Sequence, residues 1–215
     1  MDTRISGKEL IASIKASAAT SQVGVVIPVG RPVVAVLRPI PTRPGCIAQT
    51  DLELLSEWRN RHVKSFLTEF AAHAKRTEQW LVDYVHANPS KLLFMVESLD
   101  GTPLGHVGID FIDWDTSYGE ADAIVSGGAS PRGLMKEALR TMLDWAEHQL
   151  GLRHLAVRVR SDNSALEFYR KVGFVEEKRV PLNVERSQDM VRWYEDPALQ
   201  DPQAALVYMN YRKQA

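Results

Sequence analysis

Leu155-Ala-Val-Arg-Val-Arg-Ser-Asp-Asn-Ser-Ala-Leu-Glu-Phe-Tyr-Arg-Lys-Val-Gly-Phe174 reads as a strand, a polar turn, a short amphipathic helix, a glycine stop and a second strand. Leu155, Val157 and Val159 alternate with Ala156, Arg158 and Arg160, the period of two expected of a strand with one buried face. Ser161-Asp162-Asn163-Ser164 supplies N-cap chemistry, and Glu167 follows Ser164 at capping-box spacing. Ala165, Phe168 and Val172 fall on one helical face, with Tyr169 at its edge, where the hydroxyl can reach polar surroundings. Gly173 can take the left-handed conformation that ends such a helix.

On the N-terminal side, a helix from Pro131 to Leu150, stopped by Gly151, precedes this unit. Before it come three strand-like stretches, Leu92 to Ser98, Leu104 to Ile112 and Tyr118 to Val125, the first two joined by a turn at Asp100-Gly101. A helix beginning at Asp51 carries Leu52, Leu55 and Trp58 and passes into a less regular helical stretch to about Phe70. A third helical piece runs from Thr77 to His86 and stops before Asn88-Pro89. Val33 to Ile40 is apolar and β-branched, and Pro39 and Pro41 mark it as an edge strand. Ala204 to Tyr211 is the last strand. Residues 5–19 suit an isolated helix and Gly24 to Pro32 a linker turning into strand, so residues 1–32 read as an extension and 33–215 as the domain. A homodimer contact is one use for that extension; the alternative is that it has no fixed fold. The order predicts an α/β fold with a mixed, mostly antiparallel sheet and one helical crossover.

Asp-Asn-x-Ala-x-x-Phe-Tyr-x-Lys-x-Gly-Phe, from Asp162 to Phe174, resembles the second conserved motif of the GNAT acyltransferase superfamily, whose members use acetyl-coenzyme A. The element order over residues 33–213 is similar to the GNAT fold as well. The resemblance implies that Asn163 hydrogen-bonds the pantetheine arm and that the Tyr169 hydroxyl sits by the thioester sulfur and protonates the leaving thiolate. It implies that backbone amides around Ile124 and Val125, where the superfamily splays its sheet, stabilise the oxyanion. It places the coenzyme diphosphate on Arg132-Gly133-Leu134-Met135-Lys136, at the entry to the long helix, with Tyr169 shared between cofactor and chemistry. The physical basis is general: unpaired amides and the helix dipole favour an anion. Of the glycine-type pattern of that loop only Gly133 survives, with Ser130 and Met135 at the other positions. Ser130-Pro131 reads as an N-cap followed by proline at the first helical position.

Direct attack of an amine on the thioester also needs a group to take the ammonium proton. Glu120 and Asp122 share a face of their strand, and Glu120 aligns with an acidic position common in related enzymes; His106 and Asp110 are in reserve. For the acceptor, the helices around Trp58-Arg-Asn60 and Phe66-Leu-Thr-Glu-Phe70 resemble those of two GNAT groups, one acetylating nucleotide-linked amino sugars and the other the N-termini of ribosomal proteins, and the resemblance of the Phe168-Tyr169-x-Lys171 ending leans toward the first. Arg59, Arg61 and Lys64 could then face a diphosphate, and Trp114 or Trp193 could stack on a ring. The segment from Asn183 to Gln203 is longer than a hairpin needs and could shape the site. A protein N-terminus or lysine as acceptor, and an acyl-coenzyme A-binding module without turnover, are the alternatives to a small primary amine.

Composition fits this reading. The chain has 215 residues, 45% of them hydrophobic and 25% charged, and a net charge of −1, which gives no footprint for nucleic acid or anionic membrane. A lone cysteine, Cys46, forbids an intramolecular disulfide and a cysteine-rich metal site, and beside Pro44-Gly45 it reads as a spectator thiol; no metal is expected. Val23 to Val29 is too short for a membrane span and is interrupted by Gly24 and Pro28, and nothing before it looks like a signal peptide, so a cytoplasmic protein is expected.

Overall fold

A computed structural model describes residues 5–20, 24–128 and 130–213. Helix α1 (Gly7–Ala18) is followed by strands β1 (Ile27–Val29) and β2 (Ala35–Pro39), helix α2 (Gln49–Arg61) and the two-residue strand β3 (Thr68–Glu69). Helix α3 (Ala74–Trp80) runs on into a wider π-type turn, Leu81–His86, before β4 (Leu92–Ser98), β5 (Pro103–Asp113) and β6 (Tyr118–Ser126). Helix α4 (Leu134–Trp145), extended by a π-type turn to Leu150, crosses over to β7 (His154–Arg160), and α5 (Ala165–Val172), β8 (Phe174–Arg186), β9 (Val191–Glu195) and β10 (Ala204–Tyr211) complete the chain.

The strands form one 10-stranded sheet in the order β1-β2-β4-β5-β6-β7-β10-β8-β9-β3. Every pairing is antiparallel except β6 with β7, the pair joined through α4, as a parallel neighbour requires. Strand β4 shows why both faces are covered: Leu92, Phe94 and Val96 belong to one core cluster, Leu93 and Met95 to the other. A central strand buried on both sides must read as a continuous apolar run, as Leu92 to Val96 does. Helices α1, α4 and α5 cover the first face, α4 through Leu134, Met135, Ala138, Leu139, Met142 and Leu143. Helices α2 and α3 cover the second, with Leu52, Leu55, Trp58, Leu81 and Val85 inside. Among the described residues no helix is long and apolar enough to cross a membrane.

Residues 5–20 and 24–32 do not stand apart from the domain. Helix α1 opens on a capping box between Ser6 and Glu9 and buries Ile11 and Ile14 in the main core, each side chain contributing about 1.5–3 kcal/mol relative to exposure. Lys15 extends its ammonium onto the carbonyls of Val85 (2.5 Å) and Asn88 (2.6 Å), at the C-terminal end of the helix that α3 begins, where a cation is favoured. Strand β1 pairs with β2 over Ala35–Leu37, so β2 is not the edge strand its prolines suggest. Pro39 is tolerated because β1 ends before reaching it, leaving no ladder bond on that side to lose.

Other boundaries shift for local reasons. Helix α2 stops at Arg61, and the expected helical stretch to Phe70 is instead a 3₁₀ turn (Val63–Ser65) and β3, which pairs with β9. The expected long loop from Asn183 to Gln203 is in part sheet: β8 runs to Arg186 and turns into β9, which ends at Glu195. Helix α4 begins at Leu134, not at Pro131, because Gly133 at φ 88 turns the chain into the helix and Ser130 does not cap it.

Candidate active site

The site arises from a mismatch in the sheet. The β6–β7 ladder covers only Tyr118–Glu120 against His154–Ala156. Beyond Glu120, β7 keeps its β10 partners up to Arg160, while β6 stays with β5 through a bulge. Register passes from Gly108↔Asp122 to His106↔Val125 across Ala123, whose φ of 50 places it in the left-handed region. Such a bulge bends its strand and re-aims the residues beside it. The strands part, and a cavity of about 1020 Å³ opens between them. Its walls are Glu120–Ser126, Val157–Arg160, the Ser130–Gly133 turn, the first residues of α5 and Phe66–Thr68 of the preceding connection.

Tyr169 lies in this wall, 7% exposed, held edge-on by the rings of Phe168 (5.4 Å) and Phe174 (5.8 Å). The buried face of α5 is Leu166, Tyr169 and Val172, so the tyrosine sits at its centre and not at its edge. The turn before α5 sets this rotation: the Ala165 amide donates to Asn163 Oδ1 (2.9 Å), whereas Ser164 makes no side-chain cap and Glu167 pairs with Arg170 instead of closing a capping box. Asn163 also donates from Nδ2 to the Ser65 carbonyl (3.3 Å), so it braces the cavity rim as well as lining it. Burial, with the Asp122 carboxylate second, raises the Tyr169 phenol well above its ordinary range, which keeps it protonated near neutrality. The hydroxyl has no hydrogen-bond partner among the described residues.

At the helix entrance, Arg132, Gly133, Met135 and Lys136 all line the cavity. The Leu134 amide donates to the Pro131 carbonyl (3.0 Å) and its side chain is in the core, so this residue is turned away from the space the others share. Among the described residues the amides of Arg132, Gly133, Met135 and Lys136 make no hydrogen bond, and neither cation has an acidic partner. A Cβ on Gly133 would meet nothing within 4 Å, so backbone is open to a ligand there. Free amides on a helix N-terminus flanked by two unpaired cations fit a diphosphate. Met135 does not block the turn: its thioether packs inward on Gly105, whose Cβ would come within 2.9 Å of the sulfur.

The carboxylates of β6 are differently engaged. Glu120 lines the cavity but is 6% exposed, with its oxygens taken by Tyr118 Oη (2.6 Å) and Arg158 Nε (2.6 Å). Asp122 accepts from Lys91 Nζ at Oδ2 only (2.6 Å), and its side chain is 33% exposed. Lys91 also binds Asp110 (2.7 Å), which in turn accepts from Asn88 (3.1 Å) and the Phe111 amide (2.8 Å). Burial alone would lower the Lys91 pKa, but Asp122 and Asp110 together carry it above the ordinary range, so the ammonium persists. His106 lies behind this group, stacked on Trp58 with ring centres 6.1 Å apart, and its Nδ1 is buried without a partner. Burial first of all pushes its pKa down to about 4, so it is a neutral imidazole.

The basic trio of α2 and the 3₁₀ turn after it does not converge. Arg59 turns inward over Phe66 and Phe70, Arg61 pairs with Glu57 and the Gly127 carbonyl, and Lys64 is exposed. Trp114 donates to Ser90 and packs on Gly7, away from the cavity. Trp193 is 8% exposed, donates to Glu69 (2.8 Å) and lies under Arg160, so neither indole is free to stack on a ligand. Lys91 and Arg158 escape notice in the sequence, although a lysine opening an apolar strand and an arginine on the polar face of β7 are the signals that mark them. Among the described residues no group of three or more His, Cys, Asp or Glu could hold a metal ion.

Residues 46–175 match the family described as the acetyltransferase (GNAT) domain. Solved structures share the fold at low identity. A spermidine N-acetyltransferase mutant from Vibrio cholerae is 18% identical, with a TM-score of 0.58 over 81% of this chain and 93% of that one. The same organism's spermidine N-acetyltransferase in complex with coenzyme A and spermine is 19% identical, with a TM-score of 0.59 over 76% of this chain and 90% of that one. A nucleotide-linked sugar GNAT is 13% identical, with a TM-score of 0.61 over 88% of this chain and 90% of that one. No curated protein matches the chain. With more than half of its length matched and its sheet parted after Glu120, the chain belongs to the GNAT acetyltransferase family.

Proposed function

We propose that the protein moves an acetyl group from acetyl-coenzyme A to a small primary amine by direct attack on the thioester. One observation carries this reading: a single cavity joins the buried, protonated Tyr169 to the free amides and unpaired cations of the α4 entrance. Acetyl-coenzyme A supplies the activated thioester. Arg132, Lys136 and the amides of Gly133, Met135 and Lys136 would hold its diphosphate, and Asn163 its pantetheine arm. The Ile124 and Val125 amides, past the end of the β6–β7 ladder, would donate to the thioester oxygen. Tyr169 would deliver its proton to the departing sulfur. For the ammonium proton, Asp122 is better placed than Glu120, since its Oδ1 has no partner whereas both Glu120 oxygens are occupied.

The acceptor is a small molecule in this reading. Strand β3 is tied to β9 through Thr68↔Arg192, which bridges the rim that a peptide would need open. A nucleotide-linked amino sugar, the kind of acceptor expected from the α2 sequence and named for one structural neighbour, has less support. Arg59, Arg61 and Lys64 do not meet, and neither Trp114 nor Trp193 is free for the base.

Calorimetric titration with acetyl-coenzyme A, followed by thiol release in the presence of amines, tests the proposal. Tyr169→Phe is expected to lower kcat by roughly 100-fold or more while leaving the acetyl-coenzyme A Kd unchanged. No heat of binding to the wild type would end the proposal, and an undiminished rate in Tyr169→Phe would remove the tyrosine from the chemistry.

A further inference from the structure

A second recess, of about 250 Å³, opens beside the main cavity and shares Phe66, Thr68, Asp122 and Ala123 with it. Its cationic side chains are Arg59, Arg76 and Lys91, and its acidic side chain is Asp122, already neutralised by Lys91. The guanidiniums of Arg59 and Arg76 both lie on the Phe70 ring, at 4.1 and 3.6 Å from its centre. Neither has a carboxylate partner among the described residues. Arg59 gives Nη2 to the Thr68 carbonyl (2.9 Å) and hydroxyl (3.1 Å), but its Nε is buried and unsatisfied. Desolvation, then the neighbouring Arg76, lowers the Arg59 pKa to about 10, the mark of a buried cation with a like charge beside it and no counter-ion.

Two guanidiniums gathered on one ring, in a recess opening onto the reaction centre, are costly unless an anion completes them. Resting on the acetyl-transfer reading above, we infer that the acceptor amine carries a carboxylate or phosphate that Arg59 and Arg76 bind in this recess. The amine end then lies toward Asp122, which belongs to both spaces, and faces the cavity that holds Tyr169. Phe66, Phe70 and Trp80 supply an apolar wall that excludes water from the ion pair and strengthens it. A polyamine is the wrong charge: each further ammonium would meet Arg59, Arg76 or Lys91, with no unpaired carboxylate in the recess to receive it. The carboxylate of an amino acid and the phosphate of an amino sugar phosphate present the same fork to two arginines, so the anion is assigned here and its carrier is left to assay.

Inorganic phosphate and sulfate serve as probes, titrated into the protein saturated with coenzyme A so that the diphosphate cradle is filled, and followed by tryptophan fluorescence through Trp80. Saturable binding is expected, weakened roughly 10-fold to 100-fold by Arg76→Gln and less by Arg76→Lys, which keeps the charge but not the fork, with melting temperatures confirming that each variant folds. Absence of saturable binding, or binding indifferent to Arg76→Gln, overturns the inference. The contrast between the wild type and Arg76→Gln reads the recess whether or not coenzyme A binds, so failure of the cofactor reading is recorded separately. Thiol release with matched amines gives the second reading: glucosamine 6-phosphate against glucosamine, amino acids against their carboxamides, and spermidine. The anionic member of some pair is expected to exceed its neutral twin and spermidine, with the advantage abolished in Arg76→Gln. Spermidine as the fastest acceptor overturns the inference.

Discussion

His106 makes the fold acid-sensitive by a calculable amount. The imidazole is 5% exposed, packed on Trp58, with its Nδ1 unsatisfied. Desolvation disfavours its cation; Arg59 and His62 add to that, while the Ala123 backbone and Asp122 oppose it without prevailing. The folded pKa of about 4 stands against 6.5 for an unburied imidazole. At about 1.4 kcal/mol per tenfold change in proton affinity, the gap amounts to about 3 kcal/mol. Between those two values the unfolded chain binds the proton and the native protein does not. The stabilisation is therefore complete above pH 6.5 and is lost as pH falls toward 4. The perturbation is His106→Phe, which keeps a flat ring against Trp58 and removes the titration. Urea unfolding of both proteins, followed by tryptophan fluorescence at intervals between pH 7.5 and 4, gives two stability curves. Their difference is expected to change by about 3 kcal/mol across the window, with the wild type falling more steeply on the acid side. Curves that stay parallel, or the His106 imidazole proton resonance, assigned by its loss in His106→Phe, titrating near 6.5 in the folded wild type, would refute the reasoning.

Gly127→Ala would set a Cβ 2.4 Å from Trp58 Cζ2, and Trp58 is 2% exposed with no free space to retreat into; a loss of about 1–3 kcal/mol is expected, read as a melting temperature lower by about 5 °C. Lys15 has its pKa lowered to about 8, first by burial and also by Lys91, with Asp110 opposing, so stability is expected to rise as pH climbs from about 8 toward 10.5. Lys15→Met should flatten that rise in denaturant titrations. The two strand carboxylates should separate by readout. Asp122→Asn is expected to lower kcat roughly 100-fold with the fold intact, whereas Glu120→Gln, which strands Arg158, should cost about 3 kcal/mol in unfolding experiments. Equal losses of rate with no change in stability for both variants would contradict the roles assigned to them.

The stretch from Leu155 to Phe174 was legible because each of its signals is local: alternation, a capping residue, a helical face and a glycine stop. The period of two gave β7, and Gly173 does end α5, yet the buried face of α5 centres on Tyr169, and the first helical amide is held by Asn163 and not by the Ser164 side chain. Strand β3 was out of reach, since a two-residue strand has no periodicity and exists only because β9 lies beside it. The same applies to β1, whose partner fixes it and whose side chains are buried by distant elements. In the site, Tyr169, Asn163 and Gly133 came from one motif and one turn, whereas Lys91, Arg76 and the re-aimed Arg59 depend on contacts between α2, α3 and the middle of the sheet. The alternation along β6 put Glu120 and Asp122 together on paper. The bulge at Ala123 and the cations across from each carboxylate separate their environments, and neither is visible in the strand's own residues.

The anchoring of Lys15 reaches further than the helix it secures. Its ammonium holds the Asn88 carbonyl; the Asn88 amide holds Asp110; Asp110 holds Lys91; and Lys91 holds Asp122, the carboxylate that faces both cavities. Charge is spaced along this path as alternating cation and anion, so each link fixes the orientation of the next. A chain begun at residue 33 would keep every residue of the cavity wall and still lose the first tether of the network that aims Asp122. The opening helix is in this sense the remote end of the proposed reaction centre, and changes made near the N-terminus are changes to the electrostatics around Asp122.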